Sequence, residues 1–84
     1  MLDYVLDYGN VKLTLVDYMA KNKMSKSKLA RLADLQYRQL QTYCNNEVES
    51  ISFDVLARLC FALGCKLSDI MEYNAPLPVA RASR

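Results

Sequence analysis

Between residues 26 and 45 the apolar side chains fall into a pattern that few arrangements of a short chain can satisfy. Leu29, Ala30 and Ala33 recur at helical spacing, Leu35 stands alone just after Asp34, and Leu40, Tyr43 and Cys44 recur again. Spacings of three and four residues put side chains on one face of a helix. The pattern therefore predicts two short helices, from Lys26 to about Ala33 and from Tyr37 to about Cys44, joined by a turn. Ala30 is small enough to let the two cross closely near a right angle, with Leu29, Leu35 and Leu40 locking the crossing.

The rest of the chain has to build one core around that unit. At 84 residues it forms one domain,. A composition of 52% hydrophobic and 24% charged residues, with two glycines and two prolines, fits a compact helical fold,. Leu2, Tyr4, Leu6 and Tyr8 alternate with Asp3 and Asp7 as in a half-buried strand, although Val5 breaks the alternation,. Gly9-Asn10, leading into Val11-Lys12-Leu13, then reads as the turn of a short hairpin, with a frayed or helical start as the alternative,. Thr14 and Asp17 have the spacing of a capping box, so a first helix is expected to run to about Asn22,. That helix would bury Leu15, Tyr18 and Met19, with Asn22 as its left-handed cap. Ser25 is the expected N-cap of the second helix. Asn45 and Asn46 close the third, and Ser52 with Asp54 opens a fourth whose inward stripe is Leu56, Leu59, Cys60 and Leu63,. Gly64 supplies its stop. A fifth short helix from Ser68 would bring Ile70 and Met71 to the core, and Pro76 and Pro78 end regular structure. The expected division is a strand or dimerisation arm over 1–10, one domain over 11–74 and a flexible tail over 75–84.

Charge is unevenly distributed. The net charge is +2, yet residues 21–43 hold Lys21, Lys23, Lys26, Lys28, Arg31 and Arg38 against Asp34 alone, while both flanking stretches are slightly acidic. Such a local basic field is the footprint of a polyanion-binding surface, although a plain solvated helix face carries charge in the same way. No metal or cofactor is expected: the chain has no histidine, and Cys44, Cys60 and Cys65 contain no CxxC pair,. Without a histidine base, a glycine-rich phosphate loop or a convincing carboxylate pair, an enzyme is not expected either. Asp3 and Asp7 open the chain where a secretory signal would be basic, and no apolar run approaches the ~18 residues of a membrane span,. A cytoplasmic protein with no membrane partner and no small-molecule substrate is expected.

Two segments, MSKSKLARLADLQYRQLQTYCNN and DVLARLCFALGCKLSDIMEY, together resemble the lambda-repressor/Cro-like (XRE-type) helix-turn-helix regulators over roughly residues 11–74. The second segment adds specificity, because an ALG turn followed by a short SDI helix is how that family closes its bundle. The resemblance implies an all-α, five-helix lambda-repressor-like DNA-binding domain, here with the N-terminal hairpin as a possible addition. Asp34 and Asn46 depart from the glycines common at those places, and both residue types accept positive φ more readily than most.

The resemblance implies a cytoplasmic, sequence-specific regulator of transcription, most simply a repressor, that reads the major groove of double-stranded DNA with the helix 36–44. With Leu40 and Tyr43 inward, Tyr37, Arg38, Gln41 and Thr42 form the outward face, with Gln36 and Gln39 at its margins. Arginine pairs with guanine, glutamine with adenine, and a threonine methyl or tyrosine ring can touch a thymine methyl. An ordinary solvent face carries Glu–Lys pairs, whereas this one has no acid and is rich in amides. By resemblance Lys26 and Asn45 are phosphate anchors, joined by Lys28 and Gln36. One such helix covers half a site, so a homodimer is expected. Its candidate surfaces are the N-terminal segment and residues 71–77, with Leu2, Tyr4, Tyr8 and Tyr73. The alternative on the same fold is an antitoxin-type protein-binding partner, although only about ten residues beyond Tyr73 are left to cover a toxin.

Overall fold

The computed structural model describes residues 8–76, in the order β1 (Asn10–Leu13), α1 (Leu15–Lys21), α2 (Lys26–Ala33), α3 (Tyr37–Cys44), α4 (Phe53–Leu63), a single 3-10 turn (Leu67–Asp69) and β2 (Met71–Asn74). Each helical element brings an anchor to the same core. Leu15, Leu29, Leu40 and Leu59 come from α1 to α4 and Ile70 follows the 3-10 turn; all five are fully buried. Smaller buried residues, Ala30 and Ala33 on α2, let α2 pack closely between α3 and α4,. Ser25 and Ser52 start α2 and α4 as expected, their hydroxyls each accepting a 3.1 Å bond from the backbone N–H three residues on. Each cap contributes about 1 kcal/mol.

All four α-helices stop in the same way. A residue with positive φ follows the helix, and the next N–H donates back to a carbonyl five residues earlier. Lys23, Asp34, Asn46 and Gly64 take the left-handed conformation at φ 53°, 58°, 58° and 66°. The returning bonds run from Met24 to Met19 at 2.9 Å, Leu35 to Ala30 at 2.9 Å, Glu47 to Thr42 at 3.0 Å and Cys65 to Cys60 at 3.1 Å. This closure satisfies carbonyls that a helix end leaves open, and an apolar contact between the two joined residues commonly accompanies it. Three of the four pairs are apolar or thiol. The pair that closes α3, Thr42 and Glu47, is polar.

Several expectations need correction. The Thr14 side chain makes no capping bond to α1; its hydroxyl donates instead to the Asp69 carbonyl at 3.3 Å, and its N–H donates to the Ile70 carbonyl at 2.8 Å. The left-handed residue after α1 is Lys23, while the Asn22 amide bonds the Tyr18 carbonyl at 2.8 Å. Tyr18 is only half-buried. The fifth helix is reduced to the 3-10 turn, because the chain leaves it as a strand: Ile70 is buried as expected, but Met71 opens β2. The fold among the described residues is therefore four α-helices with a small sheet, not an all-α five-helix bundle.

Gly9 does take positive φ, at 79°, and a Cβ there would collide with the Asn74 carbonyl. Val11 to Leu13 are extended as the hairpin reading required, but β1 pairs with β2, antiparallel, in the register Asn10↔Asn74 to Leu13↔Met71. Apart from Tyr8, the other expected strand lies outside the described residues, as do residues 77–84. Of the two segments considered for dimerisation, Asn10 and residues 71–74 belong to this ribbon within one chain, where Val11 and Tyr73 form an exposed cross-strand pair.

Asn46 joins this ribbon to α3. Its side-chain oxygen accepts from the Leu13 N–H at 2.7 Å and its amide donates to the Leu13 carbonyl at 2.9 Å. A glycine would suit the backbone angle and lose both bonds. Two substitutions at left-handed positions should consequently act in opposite directions. Lys23→Gly relieves strain at an exposed site and is expected to stabilise by up to about 1 kcal/mol. Asn46→Gly forfeits two backbone bonds and is expected to destabilise by about 1–2 kcal/mol. Urea unfolding followed by circular dichroism measures both, and equal signs would show that Asn46 is merely a turn residue.

Candidate nucleic-acid interface

The turn between α2 and α3 is what presents α3. Asp34 reverses the chain, Leu35 packs back against the core, and Arg58 of α4 donates to the Asp34 carbonyl at 3.0 Å. Arg58 also pairs with Asp54 one turn earlier at 3.1 Å, an exposed contact worth little by itself,. With Leu40, Tyr43 and Cys44 buried, the opposite side of α3 carries the exposed Tyr37 and Arg38 and the half-buried Gln41 and Thr42.

Tyr37, Arg38, Gln41, Thr42 and Asn45 line one open depression of about 350 Å³ on that side, together with Glu47. The four residues singled out for base reading are therefore gathered by the structure, and Asn45 is with them. Tyr37 is 49% exposed although aromatic, so its ring is not held by the core. Arg38 is exposed and forms none of the ion pairs found among the described residues. The Thr42 hydroxyl donates to the Arg38 carbonyl at 3.0 Å, which uses its proton inside the helix,.

The other candidates are placed differently. Gln36 is the N-cap residue of α3, exposed and without a capping side-chain bond, and Lys28 is exposed on α2; neither lines the depression. Lys26 is half-buried, and its charge reaches the Cys44 thiol: burial pushes that thiol up, and Lys26 opposes the shift. Gln39 belongs to the helix more than to its open face, since its amide donates to the Tyr43 hydroxyl at 3.1 Å.

Glu47 was not anticipated. The left-handed Asn46 turns the chain back so that Glu47 bonds the Thr42 carbonyl, which brings a carboxylate to the rim of an otherwise acid-free surface. The signal was present in the sequence: a residue tolerant of positive φ at 46 implies that residue 47 returns to the last turn of α3.

The thiols offer no comparable chemistry. Cys65 is pushed up to about 11, chiefly by burial and further by the neighbouring Cys60, so its nucleophilic thiolate is scarce at neutral pH,. No group of three or more metal-ligating side chains occurs among the described residues, and none of their helices is long and apolar enough to cross a membrane.

The sequence profile of the Cro/C1-type HTH DNA-binding domain matches residues 14–76. A protein described as the HTH-type transcriptional regulator YozG of Bacillus subtilis (strain 168) is 32% identical over 57 residues, which is 68% of either chain. Among solved structures, the transcriptional regulator VanUg superposes with a TM-score of 0.64 at 20% identity, over 89% of this chain and all of that one. The clp gene regulator ClgR of C. glutamicum superposes with a TM-score of 0.60 at 23% identity, over 67% of this chain and 71% of that one. At these identities the two structures speak for the fold.

Proposed function

The chain belongs to the Cro/C1-type helix-turn-helix DNA-binding family, and from that premise we propose that it is a sequence-specific, cytoplasmic transcriptional regulator that reads the major groove with α3. The observation that carries this reading is the single open depression shared by Tyr37, Arg38, Gln41, Thr42 and Asn45. A major groove about 12 Å wide admits a helix, and side chains from one helix face reach adjacent base edges. Arg38 is assigned to a guanine and Gln41 to an adenine. Thr42, its hydroxyl proton already used, contributes its methyl to a thymine, and Tyr37 lays its ring beside the same kind of contact.

Lys26 and Asn45, the C-cap residue of α3, are assigned to phosphates, with Lys28 and Gln36 extending the contact along the backbone. The helix supplies register through these anchors and discrimination through the bases. Two copies bind two half-sites about one helical turn apart. A domain of this kind acts most simply as a repressor, by occupying an operator that other proteins need.

Glu47 gives the surface a second feature. At the rim of the depression its carboxylate opposes phosphate and favours the amino group of a cytosine. It therefore trades general affinity for selectivity.

Substitution separates these roles. After selection of a preferred site from random duplexes, Arg38→Ala should cost about 1–3 kcal/mol on that site and relax preference at one base pair. Lys26→Ala should weaken all duplexes alike and lower the salt slope by about one. Identical losses for the two variants on selected and random DNA would rule out base reading by Arg38. Glu47→Gln should raise affinity for random duplexes by about fivefold, the order expected from removing one charge near a phosphate. Unchanged titrations would remove Glu47 from the interface.

A further inference from the structure

The outer face of α4 carries two phenylalanines that the fold does not use. Phe53 is 88% and Phe61 86% exposed, and Leu67, just beyond the helix, is 47% exposed. Phe53 and Leu67 line a groove of about 260 Å³ together with Leu56, Ala57 and Cys60, with no charged side chain in its wall. Phe61, four residues after Ala57 and so its neighbour on the helix surface, does not line this groove,. The α3 face carries the polar set assigned to DNA; the α4 face carries neither acid nor base across its groove.

We propose that this α4 face is where a second copy of the chain docks, as an isologous pair in which Phe61 of each protomer enters the groove of the other. The proposal builds on the two-copy reading above and names its surface. Three observations favour a second copy as occupant. The face holds both a projecting ring and a recess, which is the self-complementarity that a two-fold interface requires. A phenylalanine buries roughly 150–250 Å², so four rings at this exposure bring on the order of 500–850 Å². A specific interface clears about 1,000 Å² in total, so the rings alone supply about half or more of that minimum, with Leu67 and the rest of the groove wall adding to it. Finally, the Asp54–Arg58 ion pair lies one position from Phe53 on the same helix and provides a polar margin, as interfaces place charge at the rim and apolar rings at the centre.

The ribbon formed by β1 and β2 is the competing surface. Its exposed pair, Val11 and Tyr73, is 59% and 60% exposed, less than either phenylalanine, and Tyr73 already spends its hydroxyl on the Tyr8 carbonyl at 2.6 Å. A dimer built there would leave four nearly bare aromatic rings in water.

Sedimentation of the full chain without DNA tests the proposal. The wild type should be dimeric, and Phe61→Asp or Phe53→Asp should each raise the dimer dissociation constant at least about tenfold, as expected for loss of a central aromatic anchor. Both side chains are outside the core, so the circular dichroism spectrum should be unchanged. Ala57→Glu, at an exposed helical position in the groove wall, provides an independent variant should either aspartate lower helicity. Binding to a duplex carrying one half-site should persist in the variants while cooperative binding to two half-sites falls. A wild type that sediments as a monomer at high concentration overturns the proposal, as do folded variants that all dimerise like the wild type, which would direct attention to the ribbon. A dimer that binds no duplex would instead overturn the DNA reading and leave this interface standing.

Discussion

The left-handed reversal at Asp34 determines how α2 and α3 leave the core, and contacts from Leu35 and Arg58 hold it. Leu35 returns a hydrogen bond to Ala30 and packs inward, and Arg58 reaches from α4 to the Asp34 carbonyl. Leu29 and Leu40, fully buried on either side of the turn, fix the crossing itself. An exposed aspartate at φ 58° is strained relative to glycine,. That strain is tolerable because the surrounding bonds over-determine the turn, in the way that packing routinely outweighs local propensity.

Composition explains why such reversals rest on unusual residues. The chain has only two glycines, and Gly64 is the one that closes a helix. Lysine, aspartate and asparagine therefore occupy the other three closures. At Asn46 the departure from glycine is more than tolerated, because the side chain ties the end of α3 to the Leu13 backbone. The ribbon and the candidate DNA-reading helix are thereby joined through one residue, although their strands and helix lie far apart in sequence.

The parts of the fold that were legible in the sequence are those governed by local periodicity. Helices α2, α3 and α4 fall where the apolar spacing puts them, and Ser25 caps α2 and Ser52 and Gly64 cap α4 as their residue types suggest. What was not legible depends on partners distant in the chain. Thr14 has the spacing of a cap, but its N–H and hydroxyl go to Ile70 and Asp69. Val11 and Tyr73 belong to one ribbon, which no pattern within either segment announces. Ile70 was rightly expected in the core because its burial is the same whether it ends a helix or precedes a strand; Met71 was misassigned because only its pairing with Leu13 distinguishes the two. At the site, the outward residues of α3 followed from knowing its inward ones, whereas Glu47 required the three-dimensional return of the chain after Asn46.

The closure of α3 then shows where the general rule is set aside. In the other three closures the joined residues, Met19 with Met24, Ala30 with Leu35 and Cys60 with Cys65, are apolar or thiol. Thr42 and Glu47 are joined by the same backbone bond, yet their side chains line an open polar depression. Apolar residues at those two positions would add burial at that helix end and remove two of the six side chains lining the depression. Departures from the locally stabilising choice are expected to concentrate where function constrains the residue. The polar closure therefore supports the same assignment as the exposed Arg38 and the half-buried Gln41, and it does so from helix chemistry rather than from charge.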